Sequence, residues 1–353
     1  MRTLYIRADA NKTIATGHVM RCLALADALL KLSVETVFIT ADDDSGALID
    51  ARQYRRICLH TKWDDMESEL PVLRKVLSDE GVTGLLVDSY MATPKYLKAL
   101  KKLVRVAYID DMPMITEPWH IPCDVLVNYS AYSDTFPYRS KYRHTKLLLG
   151  CDYAPLRACF FAESGNGFDA RKRCDTGGES LKKALIMTGG TDRYGVSLYL
   201  ADALPGRYPD THFIFISGSL NTHYDELLKI ADHFPNTEVL LNVSDLERYM
   251  LQCDLAVTAG GTTLYELAAT RTPAVSFSFA DNQLRNVEAF DRKGCIPYAG
   301  DVRDGMQGRI EELFDEMAAS PKRRRQCQNA MCDLIGPGST MNLARALLKE
   351  LEI

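Results

Sequence analysis

The sequence predicts an α/β protein made of two doubly wound, Rossmann-like domains. Short apolar segments alternate with longer segments whose apolar residues recur at spacings of three and four, and this alternation occurs twice along the chain. Strands that are apolar on both faces and separated by helices indicate a parallel sheet covered on both sides. A chain of 353 residues with 46% hydrophobic side chains is long and apolar enough to fill two cores.

The first series of segments predicts a domain at residues 1–157. Helical spacing is clear in GHVMRCLALADALLKL, which follows the first strand. Residues 158–181 break the alternation with Gly, Ser and mixed charge, so they predict a linker or an exposed excursion. The predicted strands of this domain are TLYIRA (3–8), ETVFIT (35–40), TGLLVD (83–88), VRVAYID (104–110) and DVLVNY (124–129).

The alternation restarts at residue 182 and predicts a second domain through residue 335. The final segment, GPGSTMNLARALLKELEI, predicts a glycine turn, a cap at Ser339 and an amphipathic helix within 336–353. The predicted strands of the second domain are KALIMTGG (183–190), THFIFISG (211–218), TEVLLNV (237–243), DLAVTAGG (254–261) and PAVSFSF (273–279).

Charge and composition argue against several classes of function. A net charge of -5 and a pI near 5.9 provide no basic surface for nucleic acid. The start, MRTLYIRADA, has too short an apolar run for a signal peptide or a membrane span, so a cytoplasmic location is expected. The ten cysteines form no Cys-x-x-Cys pair and the seven histidines are dispersed, so neither a metal site nor a bound cofactor is predicted.

Loops after strands are the expected ligand-binding elements, because doubly wound sheets bind ligands beyond the carboxyl ends of their strands. Four loops of this kind are rich in glycine or polar residues: ATGHVMR (15–21), TGGTDRYG (188–195), TAGGTTLYELA (258–268) and FADNQLRN (279–286).

The third loop, GGTTLYE, admits two interpretations. Free backbone N–H groups and the positive end of a helix dipole suit a diphosphate there, with the glycines allowing close approach. Alternatively, Thr263 and Glu266 have the spacing of a capping box, which requires no ligand. The loop is neither a G-x-G-x-x-G fingerprint nor a P-loop, which argues against NAD and ATP.

Longer motifs resemble known enzymes. TAGGTTLYELAATRTPAVSFSFADNQ resembles the nucleotide-binding signature of the two-domain (GT-B) UDP-sugar enzymes. RADANKTIATGHVMRCLALADAL, LLVDSYM, YIDDMP, VLVNYSAY, GCDYAPLR and MTGGTD together resemble the UDP-sugar hydrolases of pseudaminic acid biosynthesis, and spore-coat polysaccharide proteins share the pattern. The resemblance spans nearly the whole chain in the expected order. It implies two GT-B domains facing across a cleft, with the terminal helix packing across the domain junction.

The resemblance also implies an activity. The expected reaction is hydrolysis of a UDP-linked diacetamido-trideoxyhexose, without a metal and with inversion, by water attacking the anomeric carbon. His18 matches the family's catalytic base, and the start of a helix suits that role because the positive end of the helix disfavours the imidazolium. Arg21 lies one turn further along the same face, where it is expected to meet sugar or phosphate.

Each of the remaining predicted site residues also has a purely structural interpretation. Strand-end residues are expected to orient His18 or to hold sugar hydroxyl and acetamido groups, but carboxylates there also serve as helix caps; these residues are Asp9, Asp88, Tyr90, Asp110 and Asp111. Asn282 and Gln283 also suit capping of the helix that follows, and the residues of NYSAY and YAPLR also suit packing. The nucleotide-binding residues implied are Gly189, Gly190, Thr191, Gly260, Gly261, Thr262, Thr263 and Glu266, with Glu266 expected to accept hydrogen bonds from the ribose. The substrate-binding residues implied are Gly17, Arg21, Asp9, Asp88, Tyr90, Asp110, Asn128, Tyr132, Tyr153, Arg157, Asn282 and Gln283.

Three other functions fit parts of the same pattern. A GT-B glycosyltransferase uses the same donor site but requires an acceptor groove, and a lipid-linked acceptor usually brings an exposed apolar or basic patch, of which the sequence gives no clear sign. A UDP-sugar 2-epimerase requires carboxylates for proton abstraction and return, and the expected set is not found. A non-catalytic binder of sugar nucleotides would have no use for His18 as a base.

Overall fold

Each half of the chain is built around one parallel β-sheet. The computed structural model describes residues 2–111, 121–161 and 180–353. The chain divides into two units: the first comprises Met1–Ala158 and Gly338–Ile353, and the second comprises Cys159–Pro337. Most of the linker predicted at 158–181 lies outside the described residues.

The first sheet has seven strands in the order β3-β2-β1-β4-β5-β6-β7, all parallel. The order reverses direction between β1 and β4, so the carboxyl ends of these two central strands form a topological switch point. The strands are β1 (Thr3–Ala8), β2 (Glu35–Thr40), β3 (Arg55–Cys58), β4 (Gly84–Asp88), β5 (Arg105–Ile109), β6 (Val125–Asn128) and β7 (Lys146–Leu149).

Helices of the first unit include the last helix of the chain. This helix packs on the helix that follows β1 and on the turn Cys151–Tyr153. Ser339 Oγ donates to the carbonyl of Ala154 at 2.7 Å, and Thr340 Oγ1 donates to that of Leu156 at 2.6 Å. The helices are α1 (Gly17–Lys31), α2 (Gly46–Asp50), α3 (Met66–Asp79), α4 (Pro94–Leu100), α5 (Tyr138–Lys141) and the terminal α13 (Ser339–Glu350).

The second sheet repeats the design with six parallel strands in the order β10-β9-β8-β11-β12-β13, and its switch point lies between β8 and β11. Its strands are β8 (Lys183–Met187), β9 (His212–Ser217), β10 (Thr237–Leu241), β11 (Leu255–Ala259), β12 (Ala274–Ser278) and β13 (Tyr298–Asp301). Its helices are α6 (Val196–Ala203), α7 (Tyr224–Ala231), α8 (Leu246–Gln252), α9 (Thr263–Thr270), α10 (Asp281–Arg292), α11 (Gln307–Ala319) and α12 (Pro321–Leu334).

The prediction of two doubly wound domains is confirmed. Each of the ten predicted strand segments contains an observed strand. Three further strands, β3, β7 and β13, were not predicted; each has four residues and lies at the edge of a sheet. An edge strand has only one neighbour, so its side chains need not be apolar on both faces and its sequence pattern is weak.

Gly260, which follows β11, packs directly against α10. A methyl group on its Cα would lie 2.3 Å from Cγ1 of Val287 and 3.3 Å from the carbonyl oxygen of Phe277. Val287 is fully buried, so it has no room to withdraw. Close packing between loop and helix therefore requires glycine at this position, whatever the loop binds.

We expect Gly260→Ala to lower the free energy of unfolding by about 1–3 kcal/mol, because the new methyl group overpacks the contact with Val287. Urea denaturation measures the loss. Gly261→Ala is the matched control, since a methyl group there meets nothing within 4 Å. If the contact with Val287 causes the loss, Gly260→Ala and Val287→Ala together should lower the free energy of unfolding by less than the sum of their separate effects. Equal stability of Gly260→Ala and the parent would contradict this explanation.

Candidate functional site

Residues from four loops and strand ends meet at the switch point of the first sheet. His18 and Arg21 lie in the first and second turns of α1, and Asp88 is the last residue of β4. Strands β1 and β4 are neighbours, with Ala8 paired to Asp88, so the loop after β1 delivers α1 to this carboxylate. We call His18, Arg21, Asp88, Asp111 and Tyr129 the His18 cluster.

Asp88 is the centre of the His18 cluster. Its carboxylate is fully buried, and Oδ1 lies 2.7 Å from His18 Nδ1. Arg21 binds it in a bidentate manner, with Nε donating to Oδ2 at 2.6 Å and Nη2 donating to Oδ1 at 2.5 Å. Two residues three apart on one helix therefore converge on a single carboxylate.

The charge state of Asp88 determines which ring nitrogen of His18 carries a proton. Burial alone would raise the pKa of Asp88, but the neighbouring Arg21 charge and His18 lower it well below its usual value. Arg21 Nη2, which can only donate, lies 3.0 Å from His18 Nδ1, but the ionised carboxylate, which can only accept, lies closer at 2.7 Å, so we assign a proton to Nδ1. In the neutral ring, Nε2 then carries the lone pair, and it hydrogen-bonds to none of the described residues.

Asp111 and Tyr129 bind the other side of Arg21, and Tyr90 packs beside them. Arg21 Nη1 donates to Asp111 Oδ2 and, at 2.7 Å, to the hydroxyl oxygen of Tyr129. Tyr90 packs edge-on against the His18 ring, with ring centroids 4.4 Å apart, and its hydroxyl donates to Asp111 at 3.3 Å. Burial and the Asp111 charge raise the pKa of Tyr90, so this phenol stays protonated. Tyr129 was not among the predicted residues, although the NYSAY motif contains it.

His18 itself is 5% exposed and lies at the amino end of α1. Thr16, the N-cap, makes no side-chain capping hydrogen bond, and the first turn carries no acidic residue. Because no acidic side chain offsets it, the positive end of the helix dipole favours a neutral imidazole over an imidazolium, and it also favours a nearby anion. Gly17 opens the helix, and a methyl group there would meet nothing within 4 Å.

Asp9 does not join His18. Its carboxylate accepts from Arg7 Nη1 at 2.5 Å and from the Ala41 amide at 2.7 Å. Arg7 is fully buried and also pairs with Glu69. Burial lowers the pKa of Arg7, but hydrogen bonding to Glu69 and the Asp9 charge raise it well above the usual value, so Asp9 faces a permanent cation that fixes its position. Orientation of His18 in this structure thus comes from Asp88.

Three other predicted residues of the first unit hydrogen-bond to neighbouring residues: Asp110, Asn128 and Tyr132. Asp110 Oδ2 accepts from the Tyr138 hydroxyl at 2.8 Å, and the side-chain amide of Asn128 donates to the same hydroxyl oxygen at 2.8 Å. Tyr132 donates to the backbone carbonyl of Asp111 at 2.6 Å, which holds that loop in place. Tyr153 and Arg157 are half-buried, in and after the turn Cys151–Tyr153.

A cavity of about 430 Å³ opens at the carboxyl ends of β8 to β12 in the second unit. Among the residues that the structure describes, no charged side chain lines it. Its walls are Met187, Gly189, Gly190, Ile216, Ser217, Gly218, Asn242, Val243, Leu246, Thr258, Ala259, Gly261, Thr263, Phe279 and Gln283.

Five predicted residues line this cavity: Gly189, Gly190, Gly261, Thr263 and Gln283. Gly189 has a φ of +92°, and a methyl group on Gly218 would lie 2.5 Å from the Gly190 carbonyl oxygen, so two loop backbones touch there. The predicted residues Thr191, Gly260, Thr262, Glu266 and Asn282 are not part of the lining.

The helix after the GGTTLYE loop begins without the side-chain hydrogen bond of a capping box. Its N-cap is Thr262, which has helical φ and ψ and makes no such bond, and Thr263 opens α9. Gly261 and Thr263 line the cavity, so it opens at the positive end of the α9 dipole, although the amides of Gly261, Leu264 and Tyr265 already donate to backbone carbonyls. Gln283 Oε1 accepts from the Phe279 amide at 3.0 Å, which braces the wall formed by the fourth loop.

No helix among the described residues is long and apolar enough to cross a membrane.

Comparison with known proteins finds similarity to proteins named for spore-coat polysaccharide and pseudaminic acid biosynthesis. No protein-family model matches it. It is 23% identical over 295 residues to the spore coat polysaccharide biosynthesis protein SpsG of Bacillus subtilis, covering 82% of this chain and 81% of that protein. It is 24% identical over 303 residues to the pseudaminic acid cytidylyltransferase and UDP-2,4-diacetamido-2,4,6-trideoxy-beta-L-altropyranose hydrolase of Helicobacter pylori, covering 82% of this chain and 47% of that protein.

Among solved structures, MurG of Acinetobacter baumannii matches with a TM-score of 0.74 at 13% identity, over 99% of this chain and all of that one. At this identity the match concerns the fold alone. The two parallel-sheet units are therefore those of the GT-B fold.

Proposed function

We propose that the protein hydrolyses a UDP-linked sugar at its anomeric carbon, with inversion, and releases UDP and the free sugar. The observation that carries the proposal is the buried Asp88 carboxylate that binds His18 Nδ1 and leaves Nε2 as a base. Similarity to the Helicobacter pylori protein, whose name includes a UDP-sugar hydrolase, supports the same reaction and a diacetamido-trideoxyhexose as the sugar.

In the proposed reaction, His18 Nε2 accepts a proton from water as the water oxygen bonds to C1. The bond between C1 and the UDP oxygen breaks in the same displacement, through an oxocarbenium-like transition state, and UDP leaves with the bonding electrons. Asp88 stabilises the imidazolium that forms and keeps the ring in one orientation. Arg21 is a positioning residue, since Asp88 and Asp111 both hold its guanidinium. The proton on His18 then passes to solvent.

The uncharged cavity of the second unit is the proposed site for the UDP diphosphate. With no charged side chain in its lining, binding of an anion there relies on backbone N–H groups and on the positive end of α9. Such fixed dipoles also stabilise the charge that develops on the leaving UDP. Gly189 and Gly190 contribute a second glycine turn to the same walls. Glu266 stays the proposed partner of the ribose hydroxyls.

A glycosyltransferase is the second candidate, because it would use the same UDP-sugar donor site and would differ in requiring an acceptor other than water. Incubation of the purified protein with UDP-sugars, with and without acceptors, separates the candidates by UDP release. We expect release with water as the sole acceptor. Release that depends on an added acceptor supports the transferase, isomerised sugar supports an epimerase, and the absence of turnover with bound UDP-sugar supports a binding protein.

We expect His18→Asn to reduce turnover roughly 100-fold or more while UDP affinity stays near that of the parent. The substitution keeps a polar side chain at the helix start but removes the group that accepts the proton. Steady-state UDP release and calorimetric UDP binding measure the two quantities. His212→Asn, a substitution of an exposed histidine in β9, is the matched control. Parent-like hydrolysis by folded His18→Asn protein contradicts the mechanism.

The pH profile gives the same test a second readout. The parent rate should fall in acid, because protonation of Nε2 removes the lone pair that accepts the proton from water. That acidic limb should be missing from the residual activity of His18→Asn. An unchanged limb in the variant assigns it to another group.

We expect Asp88→Asn to reduce turnover about 100-fold or more, because a side-chain amide no longer requires the Nδ1–H tautomer of His18. Loss of the buried carboxylate that pairs with Arg21 should also lower the free energy of unfolding by about 3 kcal/mol. Nitrogen NMR of His18 reports the tautomer, and denaturation reports stability. A folded variant that keeps both the parent rate and the parent tautomer contradicts the assigned role of Asp88.

We expect Gly261→Ala to weaken UDP binding about tenfold or more without loss of stability, since its methyl group enters the cavity rather than the core. Calorimetry with UDP measures the affinity. Unchanged affinity would exclude the α9 turn as the diphosphate site.

A further inference from the structure

A separate group of reactive side chains lies in the first unit, at the carboxyl end of edge strand β3. Cys58 is the last residue of this strand, His60 follows two residues later, and Asp43 comes from the loop after β2. Pairing of Thr40 with Cys58 brings these two loops side by side. A carboxylate oxygen, the thiol sulfur and an imidazole nitrogen all lie within 4.8 Å of one another.

We propose that Asp43, Cys58 and His60 bind a divalent transition metal of the borderline class, such as zinc. Cys58 Sγ lies 3.4 Å from His60 Nδ1. In a tetrahedral zinc site, with Zn–S near 2.3 Å and Zn–N near 2.0–2.1 Å, two such ligand atoms lie about 3.5 Å apart. Thiolate and imidazole ligands therefore already have the separation that one metal ion requires.

The donor types narrow the choice of metal. Sulfur and imidazole nitrogen favour zinc and its neighbours in the first transition row over magnesium or calcium, which prefer oxygen. Three protein ligands leave a fourth position for water. Asp43 and His60 are exposed, so a metal ion and its water have access from solvent.

Charge around the site also suits a cation. Arg56 donates to Asp43 Oδ1 at 2.8 Å and lies 3.7 Å from Asp50. Asp42 and Asp44 flank Asp43 in the same loop, and the loop carboxylates outnumber the single Arg56 charge.

Metal binding replaces the thiol proton of Cys58, which passes to solvent, and no redox step is involved. The bound ion would tie the loop after β2 to the free edge of the sheet. None of its three ligands hydrogen-bonds to the His18 cluster, so the proposed site stabilises the edge and takes no part in the proposed hydrolysis. Sequence spacing did not predict it, because Asp43 joins the other two ligands only through strand pairing.

Cobalt titration of the reduced full-length chain tests the proposal, because Co²⁺ bound by a thiolate gives a charge-transfer band in the near ultraviolet. We expect one equivalent of Co²⁺ to produce the band and one equivalent of Zn²⁺ to displace it. Cys58→Ser should abolish the band, whereas His60→Asn and Asp43→Asn should each weaken Co²⁺ affinity about tenfold or more. Cys332→Ser, which changes another half-buried cysteine, should leave the titration unchanged.

Thermal unfolding gives a readout independent of the band. Zinc should raise the unfolding temperature of the parent and of Cys332→Ser but not that of Cys58→Ser, because a ligand bound only to the folded state stabilises it. Absence of the band, its persistence in Cys58→Ser, or parent-like affinity in both His60→Asn and Asp43→Asn would overturn the proposal. UDP-sugar hydrolysis by Cys58→Ser should match the parent, so failure of the metal site leaves the proposed function untouched.

Discussion

The buried carboxylate of Asp88 holds together the helix, strand and loop that form the candidate site of the first unit. A charge removed from water at the end of a central strand must be paired, and the pairing comes from α1, the helix of the neighbouring strand-helix unit. Since Arg21 and His18 both bind it, the rotation and the starting point of α1 are fixed relative to β4. Asp111 then takes the remaining side of Arg21. One ion-pair network therefore aligns a helix, a strand and a loop. It leaves His18 Nε2 with no hydrogen-bond partner among the described residues.

The two units use the same topology for different chemistry. Each sheet reverses its strand order once, and each has its candidate site at the carboxyl ends beside that reversal. In the first unit these strand ends carry charged, hydrogen-bonded side chains suited to proton transfer. In the second unit they carry glycines, hydroxyl groups and apolar walls suited to backbone recognition of a nucleotide. In the proposed hydrolysis, the base belongs to the first unit and the UDP site to the second.

Much of this arrangement could be predicted from sequence, because apolar runs and helical spacing are local signals. The central strands and the position of His18 at a helix start followed from such signals and from the resemblance. The choice between Asp9 and Asp88 as the partner of His18 did not, since it depends on the buried Arg7 that occupies Asp9. Adjacent Gly260 and Gly261 look equivalent in sequence, yet only the first meets Val287. Edge strands and the meeting of Asp43 with Cys58 and His60 also depend on strand pairing, which local patterns do not contain.

In the proposed reaction His18 directs water to the anomeric carbon, and isotope labelling tests this bond formation most directly. The reaction would be run with a UDP-linked diacetamido-trideoxyhexose in ¹⁸O-labelled water, with mass spectrometry of both products and proton NMR of the first sugar anomer released. We predict one ¹⁸O atom on C1 of the sugar, unlabelled UDP, and an initial anomer of inverted configuration. Label in the phosphate of UDP, or an anomer of retained configuration, would contradict the account.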